Sequence, residues 1–208
     1  VVAEIEKKGG TALFTVCDVS KEQDVKNYVN KTVETFGRID GAFNNAGILG
    51  KMETIENVTE AQLDSLYNIN IKGAVWCIKY QVEQMKKQQP PGGSIVNNSS
   101  CTVPMAYPGF SGYVASKAAL DAITRCVAKE TAECGITVNS IRPGPIRTEI
   151  LGEVPEEVFD MVAQKPMITR LGKTDEIAQM AVFLLSDQSQ YITGSHFSVD
   201  GGMGLAQV

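Results

Sequence analysis

The 208-residue sequence contains one histidine, one tryptophan and five cysteines, and no stretch approaches 18 consecutive apolar residues. That last absence excludes a transmembrane helix, which needs about 20 such residues. The first ten residues are polar and mixed in charge, unlike a signal peptide. The cysteines (Cys17, Cys77, Cys101, Cys126 and Cys134) are odd in number and none forms a C-x-x-C pair. With His196 as the sole imidazole, neither a zinc site nor a disulfide framework is expected; free thiols in a reducing cytoplasm are. Basic residues are not in excess: 19 Lys and Arg against 24 Asp and Glu leave a net charge of −5. A phosphate-binding surface for nucleic acid is therefore not the expected function. Repeats, low-complexity tracts and linkers are also absent. So is an initiating methionine, the first residue being Val1.

What is present is alternation. Short apolar, β-rich runs at 11–16, 38–44, 94–97, 136–141 and 196–199 predict strands. Helical spacing predicts helices over 21–36, 59–87, 111–133, 156–164 and 175–185, with Ser20 and Gln23 in the pattern of a capping box at the head of the first. Strands separated by helices imply right-handed crossovers and one α/β domain over residues 1–208. Its doubly wound parallel sheet is covered on both faces, giving three α/β/α layers. Ligands in such sheets bind beyond the carboxyl ends of the strands. Asp18, residues 44–47, Ser99-Ser100 and residues 143–148 all come directly after predicted strands.

Tyr113 and Lys117 stand four apart near a helix start, and so on one face. A phenol titrates near ~10 and is a poor base at neutral pH. A neighbouring ammonium favours the phenolate and makes the tyrosine usable as a general acid/base. Ser100, 13 residues earlier at a strand end, offers a hydroxyl to the same substrate oxygen. Asn70 interrupts a long helix with a mediocre helix former; it reads either as a surface polar residue or as an amide that bends the helix and holds a water leading to Lys117. The turns Asn44-Asn45-Ala46-Gly47 and Pro143-Gly144-Pro145-Ile146-Arg147-Thr148 read as ordinary turns or as places where backbone approaches a ligand.

Taken in order, Asp18-Val19, Asn44-Asn45-Ala46-Gly47, Asn70, Ser100, Tyr113 with Lys117, Val138-Asn139, Pro143-Gly144 with Thr148, and Phe197-Ser198-Val199-Asp200-Gly201-Gly202 resemble the short-chain dehydrogenase/reductase family over nearly the whole chain. The resemblance implies a Rossmann-like fold and reversible hydride transfer between NAD or NADP and an alcohol or carbonyl substrate. It implies Tyr113 as acid/base, Lys117 as the group that lowers its pKa and binds the nicotinamide ribose, Ser100 as the group that polarises the substrate oxygen, and Asn70 as the anchor of a relay water. Asp18 and Val19 then correspond to adenine contacts, and Asn44, Ala46 and Gly47 to the cofactor cleft. Pro143, Gly144, Ile146 and Thr148 correspond to nicotinamide contacts. Residues 149–170 correspond to a substrate-covering loop, with Met161, Val162, Met167 and Ile168 giving it an apolar side. The resemblance also implies a homodimer or homotetramer built on the two long helices.

One departure is large. None of the 19 glycines falls into T-G-x-x-x-G-x-G or G-x-G-x-x-G spacing, so the loop that would cradle the pyrophosphate is missing. With it go the first strand–helix–strand unit, about 30 residues or more, and the residue that selects NAD or NADP. The expectation is that these residues are part of a longer native chain, with a truncated product as the alternative. Accordingly, three functions compete: an active oxidoreductase, a cofactor-binding or scaffolding protein without turnover, and a sugar-nucleotide epimerase or dehydratase, which also uses Y-x-x-x-K. The Val199-Asp200-Gly201-Gly202 ending argues against the last.

Overall fold

The computed structural model describes residues 1–148 and 156–205. Helix α1 (Val2–Lys7) is followed by an extended segment and α2 (Glu22–Phe36). Strand β1 (Gly41–Asn44) leads through α3 (Glu60–Leu66), a π-helical turn (Tyr67–Gly73) and α4 (Ala74–Lys87) to β2 (Gly93–Asn98). The short α5 (Thr102–Met105) and the long α6 (Ser111–Thr131) lead to β3 (Ile136–Pro143), then α7 (Glu156–Ala163), α8 (Thr174–Leu185) and β4 (His196–Val199). The four strands pair in the order β1-β2-β3-β4, all parallel. Among the described residues no helix is long and apolar enough to cross a membrane.

The pleat sorts the core. Ile95 of β2 with Ile136 and Val138 of β3 face α2, α4 and α6, where they meet Val29, Ile78, Met85, Leu120 and Ala128. Val96 and Ile141 point the other way, onto Ile177, Ala181 and Leu184 of α8. Since successive side chains in a strand take opposite faces, β2 and β3 are buried on both, while β1 leaves Phe43 exposed; the three layers are those expected. The expectation of uniform right-handed crossovers is not met. The chain steps in one direction across the sheet throughout, yet α4 and α6 cover one face and α8 the other. The β3–α8–β4 connection is therefore of opposite hand to the two before it.

Residues 11–16 are not a strand. A strand exists through its ladder, and among the described residues this segment has no partner; Phe14 and Val16 are 76% and 82% exposed. The capping box is also not at Ser20, whose hydroxyl donates to Asp18. It is at Thr59 and Gln62, at the head of α3. The single helix expected over 59–87 is divided by the π turn.

A chain of buried amides crosses the layer between helices and sheet. Gln81 Nε2 donates to Tyr28 and to Asn44 Oδ1 (2.9 and 2.7 Å). Asn44 Nδ2 donates to Gln81 Oε1 and Asn97 Oδ1 (3.0 and 2.9 Å), and Asn97 Nδ2 to Thr124 Oγ1 (2.9 Å). Burial raises the Tyr28 phenol well above its ordinary value, so it stays neutral. Gln81→Leu would leave Asn44 Oδ1 without its donor, a loss of about 1–3 kcal/mol. At roughly 2–4 °C per kcal/mol for a chain of this size, calorimetry is expected to show Tm several degrees lower.

Candidate active site

The carboxyl ends of β1, β2 and β3 lie side by side at Asn44, Asn98 and Pro143. Helix α6 starts beside them and carries Tyr113 and Lys117 inward, 9% and 4% exposed. Lys117 Nζ donates to the Asn98 carbonyl at 2.7 Å and lies 5.8 Å from the centre of the Tyr113 ring. The Ser100 hydroxyl lies near enough to the Tyr113 phenol to favour its ionised form. Ser100 Oγ accepts from the Thr102 amide (3.2 Å) and the Thr102 hydroxyl (2.9 Å). With both lone pairs engaged, the serine has its one proton left to give. Thr102 thus aims Ser100. Sequence reasoning missed it; the Ser-x-Thr spacing at a strand end was the available signal.

Asn70 is 1% exposed, within the π turn. Its amide donates to the Ile48 carbonyl (2.9 Å) and Ser116 Oγ (3.0 Å) and accepts from the Ile48 amide (2.9 Å). The helix is deformed there, as the bending reading required. Both amide protons are spent on protein groups, however, so the side chain has none left to donate to a water. Gly47 completes this corner: a Cβ there would lie 3.2 Å from Asn70 Oδ1 and 3.3 Å from Lys117 Nζ.

Burial drives the electrostatics. It lowers the Lys117 ammonium to about 8, with Asp121 opposing. It raises the Tyr113 phenol, opposed by the Ser100 hydroxyl and assisted by the Cys101 thiol. The expected lowering of Tyr113 by its neighbouring ammonium is therefore not what prevails. In the protein alone desolvation outweighs it, and the phenol keeps its proton at neutral pH.

The other predicted residues divide. Gly47 lies against Lys117, Ala46 follows the end of β1, and Pro143 and Gly144 stand at the end of β3, where the Pro143 carbonyl accepts from the Cys101 amide. The Asn44 side chain belongs to the amide chain, so its contribution to the cleft is through backbone. Asp18 is exposed, with its carboxylate on Ser20 and Lys21 and its pKa lowered chiefly by the Ser20 hydroxyl. Val19 packs where Gly73 allows it, a Cβ there meeting Val19 Cγ2 at 2.8 Å. Neither is brought against the pair. Ile146 packs toward the α8 core and bridges Gly172. The Thr148 hydroxyl bonds its own turn at Ile146 (3.4 Å). Beside this turn opens a cleft of about 330 Å³ lined by Gly144, Pro145, Ile146, Arg170, Glu176 and Asp200 among others. Of the expected covering loop, residues 149–155 lie outside the described residues. Arg147 stacks over Phe159 of α7 at 4.7 Å, and Met161, Met167 and Ile168 are exposed.

Behind the pair sits a second polar cluster. Asp121 accepts from Arg142 (2.9 Å from Nε; Nη2 at 2.7 Å) and from Ser140 Oγ (2.8 Å). His196 Nδ1 is 2.7 Å from Ser140 Oγ, and its Nε2 is 3.3 Å from Arg125. The serine's proton goes to the carboxylate, so the imidazole must donate from Nδ1 and accept from Arg125 at Nε2. That is the neutral tautomer.

A nicotinamide nucleotide fits the donors and acceptors present. Among the described residues the one buried side-chain polar atom without a partner is Asn98 Oδ1, on the residue whose carbonyl holds Lys117. Ribose hydroxyls are donors of the kind it lacks. Strand-end turns, a buried Tyr–Lys pair and an aimed serine define a doubly wound oxidoreductase of the Tyr–Lys type. Comparison with known proteins narrows this. A family model described as enoyl-(acyl carrier protein) reductase matches residues 1–204. The chain is 37% identical over 201 residues to a cyclohexanol dehydrogenase of Acinetobacter sp. (strain SE19), covering 97% of this chain and 78% of that one. It superposes on the crystal structure of levodione reductase with a TM-score of 0.90 at 36% identity, covering 96% of this chain and 80% of that one. For the structure of ElxO with NADP bound the TM-score is 0.85 at 32% identity, covering 93% and 78%. The chain belongs to the short-chain dehydrogenase/reductase family, and with it go hydride-transfer oxidoreductase function and an NAD(P) cofactor.

This geometry has two measurable outcomes. A Cβ at Gly144 would lie 2.6 Å from Asp200 Cα, so Gly144→Ala must part the ends of β3 and β4. It is expected to cost about 1–3 kcal/mol in urea unfolding and to weaken NAD(P)H binding measured by fluorescence. His196 has its pKa lowered by burial, the Arg142 and Arg125 charges adding to this and Asp121 opposing. Its folded form therefore binds a proton more weakly than the unfolded chain, whose imidazole titrates near ~6.5. Its stabilising contribution is whole above that pH and lost as pH falls below it. Urea unfolding measured from neutral to mildly acid pH is expected to show a steeper decline for wild type than for His196→Gln.

Proposed function

We propose that this chain reduces the carbonyl of a small, neutral, largely apolar ketone, in reverse oxidising the alcohol, with Tyr113 as the acid/base. The observation that carries the reading is the buried Lys117 ammonium beside the Tyr113 ring, with Ser100, aimed by Thr102, near the phenol. When bound, the nicotinamide supplies or accepts the hydride. The remaining work belongs to side chains already in place. With its lone pairs on Thr102, Ser100 has its proton free for the point that the Tyr113 hydroxyl also addresses, where a carbonyl oxygen would gain negative charge in the transition state. The raised pKa of Tyr113 keeps its proton available for that oxygen, and Lys117 stabilises the phenolate left behind. Lys117, Asn98 and the Gly47 backbone are the groups proposed to hold the nicotinamide ribose. Pro143, Gly144, Ile146 and Thr148 are proposed for the nicotinamide, Ala46 and the Asn44 backbone for the cleft, and Asp18 and Val19 for the adenine. Asn70 acts by fixing Ile48 and Ser116.

The substrate class rests on the wall beside Tyr113. Leu49, Leu63, Leu66 and Phe110 line a hollow against it, and the Phe110 and Tyr107 rings extend the wall outward. Around the mouth Lys51 is paired with Glu53 and Arg170 with Glu176, which suits a neutral ketone better than an acidic carrier protein. Relatives named for cyclohexanol and levodione support the same reading. All five cysteines are free, consistent with a reducing cytoplasm, and assembly as a homodimer or homotetramer is part of the proposal.

The test is NADH and NADPH oxidation by the purified protein against cyclic ketones and, in parallel, acyl thioesters. Turnover is expected with the ketones. Tyr113→Phe is expected to reduce kcat by about 10²- to 10⁴-fold with Tm unchanged, and turnover surviving that change would remove Tyr113 from its role.

A further inference from the structure

One buried ionised cluster has no part in the reaction as proposed. Asp121 is 2% exposed on α6, one turn beyond Lys117 and two beyond Tyr113, so the three share a helix face. A buried carboxylate is costly unless paired and hydrogen-bonded, and Arg142 and Ser140 meet both conditions. Arg142 immediately precedes Pro143 and Gly144. The Pro143 carbonyl accepts from the Cys101 amide (3.0 Å), next to Ser100, and the Gly144 amide donates to the Val199 carbonyl (3.0 Å). The ion pair thus runs from the helix of Tyr113 and Lys117 to the strand end that abuts Ser100 and carries the Gly144 turn.

Lys117 itself has only the Asn98 carbonyl, a neutral dipole, at its Nζ among the described residues. Asp121 is the carboxylate whose charge acts on it. The groups facing Asp121 are Arg142 from β3 and His196 from β4, with Arg125 of α6 on the far nitrogen of that imidazole. Those facing Lys117 are Tyr113 and the β2 carbonyl. Resting on the assignment of Tyr113 and Lys117 as the reacting pair, we propose that Asp121 is a positioning residue for that reaction. It locks α6 to the Arg142–Gly144 end of β3 and serves as the remote counter-charge that keeps Lys117 an ammonium.

Two substitutions separate these roles. Asp121→Asn keeps the shape but removes the charge and the ion pair. Arg142→Met removes the pair and leaves the carboxylate on Ser140. In a ¹³C-lysine NMR titration of the cofactor-free protein, with Lys117 assigned by its absence in Lys117→Arg, the ammonium is expected to lose its proton about one pH unit lower in Asp121→Asn. In Arg142→Met it is expected to do so no lower than in wild type. Both variants are expected to lose about 10- to 100-fold in kcat/KM through misplacement of the turn, but only Asp121→Asn to shift the alkaline limb of the pH profile downward. An unmoved Lys117 titration in Asp121→Asn, or equal shifts in both variants, overturns the counter-charge role. Wild-type kcat/KM in Arg142→Met overturns the link. Should Asp121→Asn not fold, Asp121→Glu keeps the charge on a longer arm; Lys117 titrating at its wild-type pH there supports the proposal, and a downward move overturns it. The NMR titration needs no turnover, so a wild-type protein that titrates as expected yet reduces no ketone overturns the catalytic assignment and leaves the electrostatic link standing.

Discussion

A buried ammonium on a single peptide carbonyl is the constraint around which the rest is arranged. Taking Lys117 out of water disfavours its charge, and one hydrogen bond to Asn98 offsets part of that cost. The carbonyl must be where it is, which requires β2 to end at Asn98 between two paired neighbours. Residue 47 must be glycine-sized, because a side chain there would press on the ammonium. The helix must enter at an angle that buries Lys117 and Tyr113 together, and Ser116, held by Asn70, sets that entry. Packing of the sheet and tuning of the site are thus one problem.

The interior is more polar than a doubly wound sheet requires. Asn44, Asn97, Gln81 and Thr124 could be apolar on grounds of packing alone. Satisfied amides differ from apolar side chains in that each accepts few geometries, so a network that is complete specifies one arrangement of α2, α4, β1, β2 and α6. The strand ends that carry the site are the ones this network ties down. The opposite-handed step through α8 leaves the other face of the same strands to a plain aliphatic core.

Much of this was legible in the sequence. The parallel α/β architecture, the helices over 22–36 and 111–131, and the last strand at its true limits came from hydrophobic period and punctuation. Local pattern failed where structure depends on distant partners. Residues 11–16 have the composition of a strand but no ladder to join. The run 59–87 has continuous helical periodicity, which does not disclose an i→i+5 turn. The hand of the β3–β4 crossover is a property of the whole sheet. At the site, residue types and spacing located Ser100, Tyr113 and Lys117. They could not show that Asn44 and Asn70 spend their amides on the protein, that Thr102 aims the serine, or that burial outweighs the lysine in setting the state of the tyrosine.

The π turn has a consequence for how the long helix is phased. Each residue of an α-helix advances about 100°, so a locally widened turn acts as a rotational offset between α3 on one side of it and α4 on the other. Upstream, Leu66 faces the core; within the turn, Asn70 reaches Ile48; downstream, Cys77, Ile78, Gln81 and Met85 all point inward. At that advance these positions also fall within well under half a turn of one another in an unbroken helix, so the wide turn is accommodated without interrupting the inward face of the element. A single continuous face thus addresses the site at one end, through Asn70, and the amide network at the other, through Gln81.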